Sequence, residues 1–266
     1  MIRRVNSHLG IDVQTASRLV FQVAVADHDA AEVDETLTLT LDGAAVTPRQ
    51  VLAPHGGRLH VYDSEPGRLE LDYAAVVTGQ ADPAPLVESD EIVFLRASRY
   101  AESDRLGALA RSEFAGLDDG ALLAAVSSWV GTHLIYISGS SRGTDGAVDT
   151  LLAGQGVCRD FAHLVVALLR ALDVPARVVA VYAPGLYPMD FHAVAEALID
   201  GSWQVVDATL LAPRSSLVRI ATGRDAADTA FLSSYHGKLV LTDQWVSALV
   251  DGQLPPDDVR ELVSLR

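Results

Sequence analysis

The sequence predicts an α+β protein, a small β-sandwich followed by helices that pack on an antiparallel sheet. Three observations carry this. Alternating apolar and polar residues dominate positions 18–73, apolar residues spaced by three and four take over after position 100, and β-branched runs return after Val174-Pro175. Of the 266 residues, 49% are hydrophobic and 21% charged, enough apolar surface to fold one large domain or two small ones.

The elements follow in order. Arg18 to Ala26 reads as a strand. Thr36 to Leu41 alternates with period 2 and ends at Asp42-Gly43, a tight-hairpin signal. Arg58 to Tyr62 and Arg68 to Tyr73 are two more alternating runs, separated by Glu65-Pro66-Gly67. Thr78 to Asp90, with Pro83 and Pro85, reads as a linker, which divides the chain into a β-rich unit over 1–92 and a second unit over 93–266. Ser103 is placed to cap a helix from Asp104. Asp118 is placed to cap another, on which Leu122, Leu123, Val126, Trp129, Val130 and His133 recur at helical spacing. Thr144 or Asp145 starts a short helix through Leu152, closed by Gly154-Gln155-Gly156. Phe161 to Leu172 is apolar on nearly every side, which predicts a buried helix, and Val174-Pro175 stops it. Arg177 to Tyr182, Phe191 to Ile199 and Ser202 to Thr209 read as strands, the last two joined by Asp200-Gly201.

Composition narrows the function. Twenty Lys and Arg against 35 Asp and Glu leave a net charge of −15, so no nucleic-acid partner is expected. Cys158 is the single cysteine, which excludes an intramolecular disulfide and a multi-cysteine zinc site, and neither a metal nor a cofactor is expected. The basic start, Met1 to His8, leads into no apolar core or small-residue cleavage site. The longest charge-free run, Gly120 to Ser141, is interrupted by Ser127, Ser128, Gly131, Thr132 and His133. We therefore expect no signal peptide, no membrane span and a cytoplasmic location, which suits the free thiol.

One constellation carries chemistry. Cys158 follows a glycine-rich turn and opens the buried helix. A helix N-terminus carries about half a positive charge and unpaired N–H groups, which favour thiolate and can hold an oxyanion. A two-residue Asp200-Gly201 turn pairs Ile199 with Ser202, so Val194 faces Asp207 and His192 faces Thr209. His192 and Asp207 then project from the same side, as diagonal neighbours roughly 7–8 Å apart at the backbone. Asp207 can orient His192, which can take the thiol proton, the relation of a catalytic triad. A three-residue turn would separate the pair. Asp160, two residues into the helix, suits the helix dipole and is assigned a structural or substrate-amine role. His163 lies about 140° round the helix from Cys158, a poor partner for it. Arg214, Arg219 and Arg224 suit surface ion pairs, or recognition of a substrate carboxylate.

Four blocks extend this reading. Gly156-Val157-Cys158-Arg159-Asp160-Phe161-Ala162-His163-Leu164, Ala171 to Arg177, Met189-Asp190-Phe191-His192-Ala193 and Trp203-Gln204-Val205-Val206-Asp207-Ala208-Thr209 together resemble the bacterial transglutaminase-like cysteine protease family. Flanking blocks at Ser98–Leu106 and Gly223–Asp228 resemble it too. The resemblance implies a papain-like α/β core, with motifs over about 117–213, and a Cys, His, Asp triad at Cys158, His192 and Asp207. It also implies a β-rich N-terminal domain, and aromatic residues near the oxyanion, for which Trp129 and Tyr136 are the candidates. With Asp160 they form the candidate substrate-binding set. Gly-Val-Cys-Arg-Asp departs from the Gly-Gln-Cys-Trp of animal cross-linking transglutaminases, and the Arg-Gly-Gly run of arylamine acetyltransferases is absent. The expected activity is thiol-dependent acyl transfer on a peptide or protein substrate, first as a peptidase or amidase. The alternatives are a transglutaminase or peptide ligase with an amine acceptor, and a non-catalytic peptide-binding module.

Overall fold

Strands that alternate apolar and polar residues can bury one face and leave the other to water. The computed structural model, which describes residues 1–27 and 31–266, follows that rule in its first third. It holds β1 (Ile2–Val13), β2 (Ser17–Phe21), β3 (Glu32–Leu41), β4 (Ala44–Val46), β5 (Arg49–Leu52), β6 (Arg58–Ser64) and β7 (Gly67–Thr78). In β7, Leu69, Leu71, Tyr73, Ala75 and Val77 are buried and the residues between them are not. Asp42 and Gly43 both take positive φ, 50° and 79°, the two-residue turn that matches strand twist and closes β3 onto β4. The strand expected over 18–26 ends at Phe21. Beyond it the Val25 N–H bonds the Tyr73 hydroxyl (2.9 Å) and the Ala26 N–H bonds the Arg219 carbonyl (2.9 Å), so contacts with other elements replace the ladder.

The remainder comprises α1 (Asp90–Val93), α2 (Ser103–Phe114), α3 (Asp119–His133), β8 (Ile135–Tyr136), α4 (Ala147–Ala153), β9 (Gln155–Gly156), α5 (Cys158–Arg170), β10 (Ala176–Tyr182), β11 (Phe191–Ile199), β12 (Ser202–Val206), β13 (Val218–Gly223), α6 (Ala226–Thr229), β14 (Leu232–Tyr235) and β15 (Leu239–Val250). Helix α5 is buried without interruption from Asp160 to Arg170. Its side chains pack with Ala176, Val178, Ala195, Ala197 and Val206 on one face of the sheet β12-β11-β10-β13. Val179, Val181, Val194 and Val205 form a second core with Leu186 and Leu217 on the opposite face. A sheet covered on both sides has no use for polar alternation, which is why these strands read as continuous apolar runs.

The last two strands return to the start of the chain. One sheet runs β15-β1-β7-β3-β4 and the other β14-β2-β6-β5. The sandwich built from 1–92 is thus completed by residues 232–250, and the sequence boundary at 92/93 is crossed by two strands. Without β15, which pairs with β1 from Arg3↔Val250 to Val13↔Leu239, a long strand edge would be bare. Two expected caps are also replaced. Ser103 is the first helical residue of α2, and Glu102 before it reaches across to accept the Ala147 N–H (2.8 Å) at the start of α4. Gly146, not Thr144 or Asp145, precedes α4. Among the described residues no helix is long and apolar enough to cross a membrane.

Candidate active site

The β11–β12 hairpin sets the geometry. Asp200 (φ 50°) and Gly201 (φ 73°) form a two-residue turn, so Ile199 pairs with Ser202 and the register runs to Ala195↔Val206. Asp207 is the next residue. Its Oδ2 accepts a hydrogen bond from His192 Nε2 at 2.8 Å, while its Oδ1 accepts from the Thr209 N–H (2.9 Å) and hydroxyl (2.7 Å). Both carboxylate oxygens are satisfied, and both side chains are buried. With Nε2 committed, Nδ1 is the nitrogen left for Cys158, and it has no hydrogen-bond partner among the described residues. Burial opposes the charged imidazole, but the Asp207 carboxylate outweighs it and, with Cys158, pushes His192 up to about 10. Burial likewise opposes the Asp207 carboxylate, but His192 and Thr209 hold its pKa below the ordinary value.

Cys158 is the first residue of α5, half-buried, with Sγ 4.0 Å from the Phe191 carbonyl oxygen. The turn before it needs glycine: a Cβ on Gly156 would lie 2.7 Å from the Asp160 Cβ. Asp160 is 1% exposed. Its Oδ2 accepts the Val157 N–H (2.9 Å) and its Oδ1 pairs with Arg159 (2.9 Å). This closes the first turn of α5, and the enclosed carboxylate does not line the Cys158 cleft, so the structure favours the structural role for Asp160 over the substrate-amine one. We expect Asp160→Ala to cost about 1 kcal/mol of stability, the usual worth of such a cap. Urea unfolding checks this, and a loss confined to cationic substrates would instead return Asp160 to the substrate.

Tyr136 arrives by a short parallel pairing. It sits opposite Gly156, and the Ile137 N–H bonds the Gly156 carbonyl at 3.0 Å. Its ring lies 5.9 Å from that of Phe161. Burial, then the adjacent Cys158 sulfur, pushes its hydroxyl up to about 12, with the Cys158 backbone pulling the other way. A hydroxyl so placed stays protonated and can donate. Trp129 does not join the site. It stacks on His133 (3.8 Å), meets Phe114 edge-on (6.0 Å) and donates to Glu113 (3.1 Å). These contacts are with its own helix and α2, as its apolar helical spacing permits.

Cys158, His192, Asp190 and Phe191 line a cleft of about 650 Å³. The profile of the transglutaminase-like superfamily matches residues 113–208, which include all three triad candidates. The crystal structure of a candidate cysteine protease from Cytophaga hutchinsonii is 33% identical to this chain, covers 98% of it and 96% of its own length, and superposes with a TM-score of 0.88. The chain belongs to the transglutaminase-like superfamily. An uncharacterized Mycobacterium leprae protein is 24% identical over 215 residues, 76% of each chain. The periplasmic domain of TgpA from Pseudomonas aeruginosa is 21% identical over 75% of this chain and 91% of that domain, with a TM-score of 0.42.

The wall of the cleft in this transglutaminase-like chain also includes residues that no local motif singles out. Phe231, Leu232 and Gln244 line it. Phe231 stacks on Phe191 (4.9 Å), and Gln244 Nε2 donates to Asp190 Oδ1 (2.7 Å). They reach the site because β14 and β15 return to the sandwich, a pairing with no local signature. His163 is buried away from the sulfur: it stacks on Tyr100 (5.4 Å) and its Nε2 accepts the Ala226 N–H (3.1 Å). The three arginines are each engaged. Arg214 holds Asp257 and Arg219 holds Glu196, both below the surface, and Arg224 holds Asp228 at it. Surface ion pairing therefore describes only the third. Among the described residues no group of three or more His, Cys, Asp or Glu side chains could hold a metal ion.

Proposed function

We propose that this transglutaminase-like protein is a cysteine peptidase or amidase acting through Cys158, His192 and Asp207. The observation that carries the reading is the 2.8 Å His192 Nε2–Asp207 Oδ2 bond, which leaves Nδ1 as the base for Cys158. The Cys158 thiol passes its proton to Nδ1, and the sulfur attacks the substrate carbonyl carbon. The resulting oxyanion would be held by the Cys158 backbone N–H and the Tyr136 hydroxyl. Imidazolium then protonates the leaving amine, the C–N bond breaks and a thioester remains. Water, deprotonated by Nδ1, attacks the thioester; the acid departs and the thiol is regenerated.

A second reading, transfer to an amine, draws on Asp190. Its Oδ1 takes the Phe191 N–H (2.8 Å) and Gln244, so the carboxylate is fixed in the cleft wall where it would attract an ammonium group. Incubating the protein with a peptide library, with and without small amines, and following masses separates the two. We expect cleavage with water added, abolished by Cys158→Ala. Predominance of amine adducts would establish transfer instead, and turnover surviving Cys158→Ala would sink both. Neither product, with saturable peptide binding, would mark a binding module.

A further inference from the structure

The cleft does not stop at the catalytic unit. A second cavity of about 420 Å³ adjoins it, and Gln22, Ala227, Ala230 and Ser233 line both. Beyond those four residues the sandwich supplies much of the wall: Val20 from β2, Leu59 from β6 and Ala53 from the segment between β5 and β6. Phe94 faces them from the end of α1, with the His55 ring against it at 5.6 Å. Strand β14 runs the length of the combined space, with Leu232 and Ser233 in the Cys158 cleft and Ser233 and Tyr235 in the second cavity.

We propose that the two cavities form one substrate groove, in which the sandwich provides a distal subsite for an extended peptide several residues from the attacked carbonyl. This rests on the peptidase or amidase reading above and adds the substrate class. Each cavity alone falls in the range, roughly 300–1,000 Å³, that holds a drug-sized ligand, so the pair has more room than a simple amide needs. The wall chemistry suits a peptide. Val20, Leu59, Ala53 and Phe94 offer an apolar side-chain site, while the Gln22 amide and Ser233 hydroxyl can bond a main chain. The charges at the rim, Arg224 and Asp228, neutralise each other at 2.8 Å and give no preference for an ion. The groove also gives the N-terminal unit a role in recognition, since Gln22 stands at the junction and its N–H is held by the Phe231 carbonyl (3.0 Å).

The test uses epoxysuccinyl peptides, which alkylate a thiol and can be lengthened on either side of the reactive carbon, with Cys158 labelling rates followed by mass. In one of the two series we expect probes of four or five residues to label about tenfold faster than one-residue probes, the gain from burying one further apolar side chain. Tyr235→Ala and Ala53→Trp should each shrink that ratio to about twofold or less, as loss of a single side-chain site predicts. Tyr235 is half exposed, so its replacement keeps the test intact if Ala53→Trp fails to fold. Rates independent of length, or a length advantage untouched by Tyr235→Ala, overturn the distal subsite and leave the thiol chemistry standing. Failure of every probe to label Cys158 overturns the peptidase reading and the groove with it.

Discussion

Replacing His192 by Ala is expected to lower kcat/KM about 10⁴-fold or more, to the level of Cys158→Ala, because nucleophile and base act as one unit. His192 is fully enclosed, its Nε2 is bonded to Asp207, and on the proposed mechanism its Nδ1 serves Cys158, so its removal takes away the proton acceptor and the donor to the leaving group together. The double variant Cys158→Ala, His192→Ala should be no worse than either single one. Asp207→Asn should be milder than His192→Ala, since the carboxylate orients the ring without receiving the proton. A second readout follows from the raised pKa of His192. Because the folded value, about 10, exceeds the ordinary 6.5, the pair's contribution to stability is fully present below pH 6.5. It is lost as pH rises through about 10. Urea unfolding at pH 6 and pH 10 should therefore show a smaller gap between wild type and His192→Ala at the higher pH. A His192→Ala variant retaining a tenth of wild-type kcat/KM would remove His192 from the chemistry.

This arrangement was legible from the sequence because it depends on short-range rules. Asp200-Gly201 permits few turns, and a two-residue turn fixes which side chains share a face across the hairpin. Gly156 before Cys158 and the apolar run after it likewise announce a turn feeding a buried helix. What stayed hidden depends on long-range pairing. Residues 239–250 include Thr242, Asp243 and Gln244 in one strand with a bulge at Thr242, and only the pairing with β1 on either side explains why they are extended. The cleft wall at Phe231 and Gln244 was hidden with them. Asp160 was ambiguous for another reason: a carboxylate in the first helical turn serves a cap or a ligand equally well, and it is the close approach of Gly156 and the Val157 N–H that favours the cap. The arginines at 214 and 219 looked like surface charge because nothing in the local sequence reveals a buried partner.

That partner leads to the largest stability effect we expect. Glu196 lies four residues after His192 on β11, on the same face, and is fully buried. Its Oε2 accepts from Arg177 Nε (2.8 Å) and Arg219 Nη1 (3.0 Å), and its Oε1 accepts from Arg219 Nη2 (2.6 Å). The Arg177 guanidinium is stacked over Trp203 at 3.8 Å, with Asp90 3.7 Å from its Nη1. Burial opposes the Glu196 carboxylate, but Arg219 and Arg177 overcome that opposition and hold it down at about 2. The folded value lies below the unfolded one, so the contribution is complete above about pH 4.5 and is lost as pH falls from there through about 2. Glu196→Gln would leave two buried guanidinium groups around a neutral amide with one acceptor oxygen. We expect it to cost about 3–5 kcal/mol at pH 7 by urea unfolding, the usual penalty for stranding a buried charge. The same variant should lose less further stability than wild type between pH 4.5 and pH 2, because the titrating group is gone. Replacing Arg177, Glu196 and Arg219 together by apolar residues, with Asp90→Asn so that the carboxylate beside Arg177 is not stranded, should cost far less than Glu196→Gln alone, since no charge of the cluster is then left unmatched. If Glu196→Gln instead cost under about 1 kcal/mol, as exposed ion pairs do, water would have to reach the cluster, and the strand that carries His192 would be anchored by its apolar neighbours alone.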